Sequence, residues 1–101
     1  VSTDAAGQTG VVQSYLAEVF VSLKPVVNDP QGLAIRDGLR NLGYDDVEAV
    51  RAGKYVRVTL QAASTDAARA RVERMCEQLL ANPVTETYRI ELSALTDRSG
   101  T

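Results

Sequence analysis

The stretch EVFVSLKPVVNDPQGLAIRDGLRNLG, Glu18–Gly43, changes its hydrophobic period once, and that change decides the fold. From Glu18 to Leu23 apolar and polar positions alternate. Val19, Val21 and Leu23 share one face, opposite Glu18, Phe20 and Ser22, and a period of two marks a strand. The alternation continues weakly back toward Val11, which leaves the start of the strand open. Asp29-Pro30 then opens a helix, with an Asx residue at the N-cap and proline at the first helical position. Ile35, Leu39 and Leu42 recur at helical spacing, and Gly32 and Gly38 lie on or beside that stripe. Each glycine costs the helix about 1 kcal/mol relative to alanine, so close approach of the helix to the sheet is expected there. Gly43 is placed to end the helix in a left-handed conformation.

Outward from this segment the same reading gives two strands, Asp46–Arg51 and Lys54–Gln61, with Gly53-Lys54 as the tight turn between them. A second helix starts at Ser64 or Thr65. Its predicted apolar stripe is Ala68, Val72, Met75, Cys76 and Leu79, and Asn82-Pro83 stops it. A last strand runs from about Glu86 to Leu92, with Tyr88, Ile90 and Leu92 on one face. The predicted fold class is therefore α+β. It is a β-α-β-β-α-β two-layer sandwich, with two helices on one face of a mainly antiparallel four-stranded sheet. The opposite sheet face, carrying Phe20, Tyr55, Arg57, Thr59 and Arg89, invites a dimer through the sheets or their edges. Residues 1–10 read as a disordered arm or an appended leader, 11–95 as a single domain, and 96–101 as a flexible tail.

Composition narrows the function. The chain has 101 residues, a net charge of −2 and a pI near 5.0, without the basic excess of a nucleic-acid binder. No apolar run approaches the roughly 20 residues that cross a bilayer. Histidine is absent and Cys76 is the only cysteine, so neither a Ser-His or Cys-His pair nor a His/Cys zinc site can be assembled within the chain.

The remaining candidates each have a plainer reading. Cys76 lies on the apolar stripe, as an inert core thiol would. Asp45, Asp46 and Glu48 could hold magnesium but read better as a solvated turn. Arg36 and Arg40 could hold an anion, although Asp37 can neutralise Arg40. Leu33, opposite the core stripe and flanked by arginines, suits a protein contact. Lys54, at the expected hairpin tip, is free to touch a partner. RNA recognition shares this topology but needs stacking aromatics, and GKYVRV offers only Tyr55. No catalytic residue and no metal site emerges.

Three segments carry a family resemblance: LKPVVNDPQG (residues 23–32), RAGKYV (51–56) and LLANPV (79–84). In this order and spacing they resemble the PurS component of formylglycinamidine ribonucleotide synthase, over about residues 17–92. The resemblance implies a cytoplasmic, non-catalytic subunit of an ATP-dependent, glutamine-using ligase in purine biosynthesis. It would bind no cofactor itself, with ATP and magnesium used by the large partner. It implies a homodimer or tetramer that bridges the large synthetase and the glutaminase, supports transfer of glutamine-derived ammonia, and engages neither nucleic acid nor membrane. Lys24, Pro25, Asp29, Pro30, Gly53, Lys54, Asn82 and Pro83 match the family pattern as structural or contact residues. Lys24 and Lys54 are the foremost contact candidates, because neither has an evident local task. The alternative is a small-molecule-sensing domain of the same topology, binding an amino acid at a dimer interface.

Overall fold

A computed structural model describes residues 12–95, so the expectations for residues 1–10 and 96–101 lie outside the described residues. The elements are β1 (Gln13–Leu23), α1 (Pro30–Asn41), β2 (Gly53–Ala62), α2 (Thr65–Met75) and β3 (Glu86–Ala94). A π-helical turn, Cys76–Leu80, continues α2. β1 is central and antiparallel to both neighbours. It pairs with β2 from Gln13↔Ala62 to Ser22↔Gly53, and with β3 from Tyr15↔Ala94 to Leu23↔Glu86. The sheet order is β2-β1-β3.

Alternation along β1 sends Tyr15, Ala17, Val19 and Val21 into the core, where Ala68, Val72 and Cys76 of the second helix meet them. Val56 and Val58 of β2, with Tyr88, Ile90 and Leu92 of β3, flank this core and are partly buried. Ser64 caps α2, its hydroxyl accepting from the Ala67 N–H at 3.0 Å. On the far face Phe20 and Tyr55 stack with ring centroids 5.1 Å apart, and the Arg89 guanidinium lies 4.2 Å over Phe20. The Tyr55 hydroxyl donates to Glu18, and that bond raises the tyrosine pKa above its ordinary value.

The structure departs from the sequence expectation in three places. The sheet has three strands, not four, because Asp46–Arg51 forms no strand. That segment returns along α1 and is fastened by side chains of the helix and its cap. The Val47 carbonyl accepts from Arg40 Nε at 2.9 Å, and the Ala52 N–H donates to Asp29 at 2.8 Å. Gly53 consequently makes no hairpin. It sits in the ladder opposite Ser22, where a Cβ would overlap the Val21 carbonyl oxygen.

α1 does not cover the sheet. Its caps form as the sequence dictates. Asp29 accepts from the Gly32 N–H at 3.0 Å with Pro30 at the first position. Gly43 takes φ 105°, while the Gly43 and Tyr44 N–H groups donate to Arg40 and Leu39, a Schellman ending. The helix nevertheless leaves Ile35 42% and Leu42 76% exposed. Gly32 approaches the Val50 carbonyl, not the sheet, and Gly38 faces open space. Asp37 pairs with Arg36 at 3.1 Å, leaving Arg40 to hold the returning segment.

The third departure is Leu79, which points outward because the π turn adds a residue to the last turn and rotates the buried stripe onto Leu80 and Ala81. No described helix is long and apolar enough to cross a membrane.

Candidate subunit interface

β1 is antiparallel to both neighbours, so its C-terminal end meets the N-terminal ends of β2 and β3 at one pole of the sheet. The three motif segments, far apart in sequence, converge there and are bonded together. Lys24 and Pro25 follow β1 in a tight turn closed by the Val27 N–H donating to the Lys24 carbonyl at 2.9 Å, with proline at the position that favours its fixed φ. The Lys24 N–H donates to the Thr85 carbonyl at 2.9 Å, which joins this turn to the one after the π turn. Arg51 closes the third side by donating to the Lys24 carbonyl at 2.9 Å.

Lys54 lies within this pole and not at a hairpin tip. Its Nζ donates to the Leu80 carbonyl at 2.9 Å, capping the π turn, and stands 3.9 Å from a Glu86 carboxylate oxygen. It therefore has the local task that the sequence did not reveal. Glu86 also accepts from the Asn82 N–H at 2.7 Å. The Asn82 side chain accepts from the Val84 N–H at 2.9 Å, an Asx turn that holds Pro83 at the surface. Asp29 is buried beside this network. The N–H groups of Gly32 and then Ala52, helped by Arg51, hold its carboxyl below the ordinary 3.8 despite the opposing effect of burial.

The bonded segments project three side chains that sequence reasoning did not single out as surface. Val26 is 92% exposed, Leu79 82% and Val84 75%. Val26 follows Pro25, and Val84 follows Pro83. An apolar residue just after a proline in a turn, with no strand or helix to carry it inward, was the available signal. Two lysines, Lys24 and Lys54, accompany these apolar groups at the same pole. Exposed apolar side chains on turns whose backbone is fixed from beneath suit a protein contact.

The other candidates lie elsewhere. Leu33 is exposed on α1, on the side away from Ile35 and Leu42. Cys76 is fully buried, and that burial pushes its thiol pKa up, which disfavours the reactive thiolate. Asp45, Asp46 and Glu48 do not converge. Among the described residues no group of three or more acidic or cysteine side chains could hold a metal ion.

A family model described as PurS, phosphoribosylformylglycinamidine (FGAM) synthase, matches residues 16–94. The phosphoribosylformylglycinamidine synthase subunit PurS of Synechocystis is 44% identical over 92 residues, covering 91% of this chain and 92% of the relative. The Bacillus subtilis subunit is 45% identical over 78 residues, covering 77% and 92%. Among solved structures, B. subtilis PurS superposes with TM-score 0.70 at 44% identity, covering 78% of this chain and 98% of that one. A structure described as PurLQS from Thermotoga maritima gives 0.71 at 32% identity, covering 81% and 98%.

Proposed function

The chain belongs to the PurS family, and on that footing we propose that it works by holding other subunits rather than by chemistry of its own. It is the PurS subunit of phosphoribosylformylglycinamidine synthase, an accessory part of an ATP-dependent, glutamine-using ligase of purine biosynthesis. In this reading the chain works in the cytoplasm as a homo-oligomer that bridges the synthetase and glutaminase subunits. Ammonia released by the glutaminase then reaches the synthetase without loss to solvent. ATP and magnesium belong to the large subunit, and this chain binds no cofactor.

One observation carries the reading. The motif segments serve no catalytic constellation. They are bonded to one another at a single pole, where they raise Val26, Leu79 and Val84 into solvent. Lys24 and Pro25 shape one side of the patch, Asn82 and Pro83 another, and Lys54 ties the π turn between them. Asp29, Pro30 and Gly53 fix the backbone behind it.

The test is reconstitution. Glutamine-dependent and ammonia-dependent synthase activities of the large subunit with the glutaminase are measured with and without this chain. Glutamine-dependent activity that appears only on its addition supports the bridging role. Activity indifferent to the folded chain would remove that role and favour a ligand-sensing domain.

A further inference from the structure

Leu79 and Leu80 are neighbours of identical chemistry, and only one of them packs against the core. Val72 and Cys76 are fully buried on the inner face of the second helix. At α-helical spacing Leu79, three residues beyond Cys76, would continue that face. Instead the Ala81 N–H donates to the Cys76 carbonyl, five residues back, at 2.9 Å. Leu80 then packs against the core, and Leu79 is turned into solvent. Burial alone does not choose between two leucines, because either removes the same apolar area from water. A π turn is a rare arrangement, so the choice lies with whatever holds it.

Lys54 is placed to hold it. It stands opposite the core-facing Val21 in the ladder, so its side chain leaves the sheet on the face that carries α2. Its amine donates to the Leu80 carbonyl at 2.9 Å, which, as one of the last carbonyls of the helix, has no partner within it. The bond is charge-assisted, a class roughly twice as strong as a neutral one. Glu86, opposite Leu23 on the other side of β1, keeps a carboxylate oxygen 3.9 Å from the same amine. That oxygen is itself held by the Asn82 N–H at 2.7 Å. One lysine on β2 thus reaches the end of the turn and is steadied there from β3.

We propose that Lys54 is a positioning residue for subunit recognition: its amine selects π over α spacing at Cys76–Leu80 and so presents Leu79, not Leu80, to a partner subunit. Lys54 acts through the turn and need not touch the partner itself. The partner's side of the contact is an apolar recess that takes one leucine. The proposal rests on the bridging reading above and names the residue that sets the shape of the bridging surface.

The test is a double-mutant cycle in the reconstituted synthase. The concentration of full chain that half-saturates glutamine-dependent activity is measured for wild type, Lys54→Met, Leu79→Ala and the double variant. Lys54→Met should raise it about tenfold and Leu79→Ala at least as much. The double variant should lie within about twofold of Leu79→Ala, because a misplaced leucine cannot be lost twice. Lys54→Arg, which keeps a donor and a charge, should stay within about threefold of wild type. Methyl nuclear Overhauser effects on the isolated chain provide a second readout and show that each variant is folded. Leu79 should lack contacts to the core in wild type and gain them in Lys54→Met. A wild-type chain without effect on glutamine-dependent activity would overturn the bridging reading and this proposal with it. With that activity intact, three results would each overturn the positioning role alone: penalties that multiply in the double variant, Leu79→Ala behaving as wild type, or an outward Leu79 in folded Lys54→Met.

Discussion

At the scale of single residues, Asp29 does the most with the least. One carboxylate caps α1 through Gly32 and fastens the returning segment through Ala52, so the direction of the whole helix hangs on a group that can be titrated. Its folded pKa is depressed, chiefly by the Gly32 N–H. The stability it contributes is therefore present above the unfolded value near 3.8 and is lost as pH falls through the lower folded value. Asp29→Asn keeps a capping oxygen but loses the charge. Denaturant midpoints measured from about pH 5 down to about pH 2 should show the variant less stable than wild type at the upper end, with the gap closing in acid. A gap that stays constant across that range would mean the charge contributes nothing. The same residue shows what sequence can reveal. Asp29-Pro30 announced the cap, because capping is local. The bond to Ala52 was invisible, because it joins residues 23 positions apart.

Local signals also divided the elements into those that were legible and those that were not. β1, α1, the later strands and the start of α2 follow from periodicity and caps, which depend on neighbours in sequence. Asp46–Arg51 misled because its residue pattern does not say what lies beside it: here the side chains of Arg40 and Asp29, and not a neighbouring strand, fasten the segment and the residue after it. The π turn misled because hydrophobic spacing is read at 3.6 residues per turn, and an inserted residue shifts every later position. This shift has a measurable consequence. Leu79→Asp should change the isolated chain's stability by no more than about 0.5 kcal/mol. Leu80→Asp, beneath the turn, should cost about 2–3 kcal/mol in chemical denaturation. Equal costs at the two positions would restore the α-helical stripe and remove the explanation for an outward Leu79. The motif segments were readable as a set, but their meeting at one pole was not, because only the antiparallel pairing of β1 with both neighbours brings them together.

For the molecule as a whole, the described residues expose apolar side chains in two places, along α1 and at the pole. The stripe on α1, with Ile35 and Leu42 exposed, packs on no strand among the described residues. Among the described residues nothing covers the pole, and its turns are braced from beneath by Arg51, Lys54 and Asn82, which keep Val26 and Val84 exposed. Two surfaces of this kind let one subunit dimerise and still hold other proteins. If they are independent, they can be disabled separately. Val26→Asp/Val84→Asp alters only exposed turn side chains, and should leave helicity and the dimer intact. In the reconstituted synthase it should raise the half-saturating concentration of this chain for glutamine-dependent activity at least about tenfold, the loss of one modest hot spot. Activity with free ammonia should be unaffected, since it needs no bridge to the glutaminase. Loss of the dimer in this variant would place self-association at the pole as well. Full glutamine-dependent activity at wild-type concentrations would move the contact away from the pole, and would leave Lys24 and Lys54 with structural work only.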